Sequence, residues 1–341
     1  MRGLLFACSA LACLTPAGAA QPAPQPVAAA VPPTSDSAGA VAAASPESDS
    51  RIVGGSAAPA GSAPWQVQIY STYDYKPQDI AADCIIGDQC FHLAEKENWE
   101  RTHRCGGVYI GRNIVLTAAH CVTGGAAFGT SRRVRMGTQN LKNGGANFRI
   151  AAWQVHPDYR AGDPPMNDIA ILRIEADNAL ARRFPRERAK IRILGTRAGD
   201  IELGQGDRLR ITGWGRTLAR NSGPGEMARD GVTLNRMSPI LMQINQTPRD
   251  AVCAALPNYR DRLVKQTVCA MSDRPGVDSC NGDSGGPMTR AQGSERVLVG
   301  LVSWGRGCAL PNTPALYTNV SAYRDWISDA GAKLSNLATA H

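Results

Sequence analysis

From residue 51 onward the chain is a succession of short apolar runs separated by Gly, Pro, Asn and Asp, and the pattern continues almost to the end. Residues 113–119, 169–174, 208–214, 297–304 and 315–320 read as strands, each bounded by turn-forming residues. Many short strands without an intervening helical repeat predict an all-β barrel or sandwich. One helix is expected after the candidate cap Ser321, with Trp326, Ile327 and Ala330 on one face.

The first fifty residues follow a different rule. Residues 1–20 carry Arg2, an apolar run from Leu4 to Leu14 and a small-residue end at Ala17, Gly18, Ala19 and Ala20, which predicts a secretory signal. The run is too short for a stable membrane anchor, and no later stretch is long and apolar enough to cross a bilayer. A lipoprotein signal built on Cys13 is a minor alternative, weakened by Ala10 where a leucine is usual. Residues 21–51 are mostly Ala, Pro, Ser, Gly, Val and Gln, with no aromatic side chain, so they cannot bury enough surface to fold. The chain is expected to be secreted, to an extracellular or periplasmic space.

Export changes the meaning of the ten cysteines. Cys8 and Cys13 leave with the signal, and the even set Cys84, Cys90, Cys105, Cys121, Cys253, Cys269, Cys280 and Cys308 is expected to form disulfides. A hydrophobic content of 43% is ordinary for a globular protein and needs no metal to support a core. The net charge of +8 comes from scattered arginines, without the basic stripe and interleaved aromatics that nucleic-acid binding requires. The densest basic run, 182–192, reads as a solvated loop.

Three motifs carry candidate chemistry: Thr-Ala-Ala-His-Cys at 117–121, Asn-Asp-Ile-Ala at 167–170 and Gly-Asp-Ser-Gly-Gly-Pro at 282–287. Singly each has a structural explanation, but their joint occurrence in this order is specific. Over residues 51–330 the chain resembles the chymotrypsin and trypsin family of serine peptidases. The resemblance implies two packed six-stranded antiparallel β-barrels with a C-terminal helix and a cleft between the barrels. It also implies a peptidase domain at 52–335, followed by a tail at 336–341. Ser284 would be the nucleophile, His120 its general base and Asp168 the partner that orients the imidazole. The backbone N–H groups of Gly282 and Ser284 would form the oxyanion hole.

The same resemblance makes residues 21–51 a propeptide. Cleavage after Arg51 would free the amine of Ile52 to pair with Asp283, and the enzyme is expected to activate itself. Asp278, with Ser279 beside it, would attract Arg or Lys side chains, while Ser303, Trp304 and Gly305 would form a wall that pairs with the substrate backbone. Ala315 stands where a glycine is usual, and its methyl should narrow the pocket and favour Arg over Lys. The pairs expected are Cys84–Cys90, Cys105–Cys121, Cys253–Cys269 and Cys280–Cys308.

An insertion at about 71–104 adds about thirty residues to a loop that is usually a short hairpin. Its acids, Asp74, Asp79, Asp83, Asp88, Glu95, Glu97 and Glu100, suggest a loop that screens substrates or inhibitors on the leaving-group side. A zinc site of Cys84, Cys90, His92 and His103 matches no common spacing, and 137–148 has no carboxylate for calcium, so no metal or other cofactor is expected. Polypeptide substrates and protein inhibitors are the expected partners of a monomer, with no nucleic acid and no membrane anchor. The rival reading is a catalytically inactive homologue that serves as a binding or adhesion module.

Overall fold

The computed structural model describes residues 53–81, 93–197, 200, 202–217, 237–261 and 264–336. Arg51, Ile52, Cys84, Cys90, His92 and the expected signal and propeptide lie outside the described residues. Seven strands come first: β1 (Ser56–Ala57), β2 (Gln66–Ser71), β3 (His103–Gly111), β4 (Ile114–Thr117), β5 (Arg132–Met136), β6 (Ala146–Val155) and β7 (Ala170–Ala176). The rest are β8 (Arg192–Ile193), β9 (Leu209–Gly213), β10 (Met242–Pro248), β11 (Thr267–Met271), β12 (Pro287–Gln292), β13 (Glu295–Gly305) and β14 (Ala315–Asn319).

Strands β2 to β7 close into an antiparallel barrel in the order β2-β3-β4-β7-β6-β5. A second six-stranded barrel runs β9-β10-β11-β14-β13-β12 and closes through the β12–β9 pairing, with β1 added on β10 and β8 on β13. Closure removes exposed edges, which is how a chain of short strands avoids pairing with its neighbours.

The unbroken apolar runs have a simple cause. In β4, Val115 points into the first barrel's core while Leu116 points out to the seam between the barrels, and Leu172 and Ile171 divide the same way in β7. On the other side Val297 and Val299 fill the second barrel while Leu298 and Leu301 face the seam. Strands buried on both faces cannot alternate apolar with polar, so they read as continuous hydrophobic segments. Trp214, fully buried, fills the seam beside Leu241 and Leu116.

Two expectations need correction. The C-terminal helix spans Arg324–Asn336 and follows a 3-10 turn at Val320–Tyr323, so Ser321 does not cap it. The Ser321 hydroxyl instead donates to Asn319 Oδ1 at 2.7 Å. The helix does press Ile327, Ala330 and Leu334 onto the seam, with Trp326 packed at the margin. The inserted segment is not a plain acidic loop: it carries short helices at Pro77–Ala81 and Asn98–Thr102. Glu100 of the second helix is buried and accepts the Met237 amide at 2.8 Å, a tie to the second barrel's approach rather than a solvent-facing charge.

Candidate active site

The imidazole of His120 is presented by a 3-10 turn, Ala119–Cys121, at the end of β4, and the Cys105–Cys121 disulfide ties that turn to β3. Asp168 stands just before β7, after Asn167, whose backbone is left-handed at φ 49° and whose side chain accepts from Tyr323 Oη at 2.9 Å. The carboxylate is 2% exposed, and both of its oxygens are engaged. Its Oδ1 accepts the His120 amide at 2.9 Å, and its Oδ2 accepts both His120 Nδ1 at 2.8 Å and Ser303 Oγ at 2.6 Å. Asp168 only accepts, so the proton on a neutral His120 ring sits on Nδ1 and the Nε2 lone pair is free.

Ser284 approaches from the second barrel, in the turn that precedes β12. Its carbonyl accepts the Gly106 amide at 2.8 Å, which lays the turn against β3 and the disulfide beside His120. Gly285 has to be glycine: φ is +74°, and a Cβ there would lie 2.2 Å from Thr117 Oγ1. The Ser284 backbone thus lies beside the turn that carries His120, and among the described residues no hydrogen bond joins Ser284 Oγ to His120 Nε2. Contacts of this kind commonly tighten only when substrate binds. The amides of Asp283, Gly285 and Gly286 are satisfied by Cys280, Val302 and Asp283 carbonyls. Those of Gly282 and Ser284 donate to no protein acceptor among the described residues. They are the two groups expected to form an anion site.

Gly282 is held in a left-handed backbone, φ +98°, by a contact the sequence reading missed. Its carbonyl accepts from His103 Nε2 at 2.9 Å, while Gln68 Nε2 lies 3.2 Å from His103 Nδ1. Burial pushes His103 down to about 4, so the ring stays neutral, with Nε2 as donor and Nδ1 accepting from Gln68. Both nitrogens are therefore used, and His103 is not available to the zinc site considered above. The other members of that site lie outside the described residues.

Asp283 is completely buried. Its Oδ1 accepts the Gly215 amide at 2.8 Å and its Oδ2 the Cys280 amide at 2.9 Å. Burial outweighs these bonds and pushes the carboxyl up to about 7. Gly213 and Gly215 make room for it, since a Cβ on either would meet a carboxylate atom at 2.0 or 2.5 Å. The segment just after the expected cleavage point is docked nearby: Val53 is buried against the Cys280–Cys308 disulfide, and its carbonyl accepts the Asp278 amide at 3.2 Å.

Asp278, the acid expected to attract basic side chains, is 6% exposed. Its Oδ1 accepts from Gln246 Nε2 and the Ser279 amide, both at 2.8 Å, and its Oδ2 accepts the Ala309 amide at 3.1 Å. Burial pushes this carboxyl up to about 6. Ala315 at the start of β14 is paired with Gly305 of β13, and a Cβ on Gly305 would stand 3.8 Å from the Ala315 methyl. Trp304 is half-buried, its indole N–H donates to the Asp163 carboxylate, and with Asp168 it lines a hollow of about 180 Å³. Cys253–Cys269 and Cys280–Cys308 pair as expected.

A family model described as Trypsin matches residues 52–327. The chain belongs to the trypsin family. Among curated trypsin-family relatives, trypsin delta of Drosophila melanogaster is 30% identical over 283 residues, covering 83% of this chain and 89% of that protein. Trypsin alpha of Drosophila erecta is 29% identical over 283 residues, 83% of this chain and 88% of that one. The vitellin-degrading protease of Bombyx mori is 31% identical over 239 residues, 70% and 79% respectively. The chain is a trypsin-like serine endopeptidase, a hydrolase.

Proposed function

We propose that Ser284, His120 and Asp168 are the catalytic triad of this endopeptidase, and that Gly282 and Ser284 amides form its oxyanion hole. The observation that carries the proposal is the chain Ser303 Oγ, Asp168 Oδ2, His120 Nδ1, which commits the imidazole to the tautomer a general base needs. His120 Nε2 takes the Ser284 proton as Oγ attacks the peptide carbonyl, and the charged ring is stabilised by Asp168. The same proton passes to the departing amine, leaving an acyl-enzyme that water then hydrolyses by the reverse sequence. The oxygen of the tetrahedral intermediate meets the two unspent amides, each worth roughly a hundredfold to a thousandfold in rate.

The enzyme cleaves after Arg and Lys, with Asp278 as the acceptor of the basic side chain, and Ala315 tips the balance toward Arg. It is made as a secreted precursor. Cutting after Arg51 delivers the Ile52 ammonium to Asp283, a buried carboxylate that among the described residues has only amide donors. The rival, an inactive binding module, is disfavoured by the completeness of this set. Incubating the Arg51-cleaved protein with an organophosphorus reagent should label Ser284 stoichiometrically, and Ser284→Ala should lose both labelling and peptidase activity. A cleaved, folded protein that takes no label at Ser284 would return the molecule to the rival reading.

A further inference from the structure

Gln246 belongs to β10, a strand that carries none of the expected site residues, yet its carboxamide reaches the carboxylate expected to bind substrate. It is 1% exposed, and Tyr317, also buried, donates from Oη to Gln246 Oε1 at 2.7 Å. Ser279 Oγ lies 3.0 Å from Tyr317 Oη. The phenol has one proton and uses it on Gln246, so the serine hydroxyl must donate to the phenol oxygen. The proton order is fixed from end to end: Ser279 to Tyr317 to Gln246 to Asp278. Oδ1 of Asp278, accepting from the carboxamide N–H, closes the chain.

A carboxylate offers about four acceptor positions. Gln246 Nε2 and the Ser279 amide fill those of Oδ1, and the Ala309 amide takes one of the two on Oδ2. One position on one oxygen is left. A guanidinium or amidinium binds a carboxylate best through two parallel N–H bonds to both oxygens, whereas an ammonium is a point charge satisfied by one.

We propose that Gln246 is a specificity-determining residue, which blocks Oδ1 of Asp278 and so restricts a basic substrate side chain to single-oxygen contact. This rests on the reading of Asp278 as the acceptor of that side chain. Gln246 never touches substrate; it acts through the carboxylate it holds, and it works against the preference for Arg given to Ala315. Tyr317 locks the carboxamide in the donating orientation.

The test uses the Arg51-cleaved enzyme and two probes, benzamidine for two-point and n-butylamine for one-point binding, alongside matched Arg and Lys peptide substrates. Gln246→Met frees one position on Oδ1, the other staying with the Ser279 amide, so benzamidine should gain roughly tenfold over n-butylamine, and kcat/KM for Arg should rise by a similar factor over Lys, mainly through KM. Tyr317→Phe, which leaves Gln246 in place but unlocked, should move both ratios the same way by a smaller factor. It also serves if Gln246→Met fails to fold. Ratios within twofold of the parent in every folded variant would overturn the role of Gln246 while leaving Asp278 as the acceptor. A parent enzyme that cleaves after neither Arg nor Lys and binds neither probe would sink both readings at once.

Discussion

The two barrels share a topology but handle charge differently. The first is filled by Val67, Ile69, Tyr109, Phe128, Met136 and Phe148, and offers the cleft one buried carboxylate, Asp168, at its rim. The second holds Asp278 and Asp283 inside, with both carboxyls raised by burial. A rim carboxylate with an imidazole, an amide and a hydroxyl around it is already supplied with its partners. A carboxylate sunk in a barrel among neutral donors is not, because isolated buried charge is costly until a cation arrives. On the proposed function, the first barrel would provide a fixed acid–base pair, and the second two receptors, one for the new chain end and one for the substrate.

The comparison can be broken at its strongest point first. Asp168→Asn should keep the fold but present His120 in the wrong tautomer, lowering kcat by about 10⁴-fold with KM little changed. Single-turnover kinetics on the cleaved enzyme would measure this, and a loss of tenfold or less would mean that the rim carboxylate is not the orienting group.

Next in size is the receptor for the chain end. A carboxyl raised to about 7 stabilises the fold fully below its ordinary value near 4, and that contribution is lost as pH rises through about 7. A precursor kept intact by Arg51→Gln should therefore lose roughly 4 kcal/mol between pH 4 and pH 8 on account of this one group. In the cleaved form, and in Asp283→Asn, the loss should vanish. Urea unfolding of the three proteins at both pH values decides it.

The substrate receptor gives a smaller effect. Asp278 titrates at about 6, so benzamidine inhibition should weaken as pH falls through that value, by up to tenfold per unit below it. An inhibition constant flat from pH 7 to pH 5 would show that the acid is not where the cation binds. The smallest change is expected for Ala315→Gly, which removes one methyl beside Gly305 and should shift the Arg to Lys ratio of kcat/KM downward by a few-fold.

The sequence discloses these parts unevenly, for physical reasons. The strands at 113–119 and 297–304 were legible because burial on both faces leaves no room for polar residues. His120, Asp168 and Ser284 stand out as candidates because each sits in a motif whose neighbours serve a local need, such as Gly285 under Thr117. Gln246, His103 and Glu100 do not, since each acts on a residue remote in the chain: Gln246 on Asp278, His103 on Gly282 and Glu100 on Met237. Nothing in the local pattern distinguishes a glutamine in β10 that points inward from one that faces water. A polar side chain at an inward register position of a barrel strand is the signal that would have singled it out. Ser303 was expected only as wall, yet its hydroxyl also completes the set around Asp168.

The disulfides have a consequence for the lifetime of the enzyme. Among the described residues, Cys105–Cys121 lies wholly in the first barrel and Cys253–Cys269 and Cys280–Cys308 wholly in the second. Among the described residues the backbone between β7 and β8 is then the sole covalent link between the N-terminal part that ends with β7 and the C-terminal part that begins with β8, and it exposes Arg182, Arg183, Arg188 and Lys190. An enzyme that cuts after basic residues would meet its own weakest link there, and a single nick would turn one molecule into two interlocked halves. Such a pair would be held together by noncovalent contacts, among them the apolar seam and the pairing of β1 with β10.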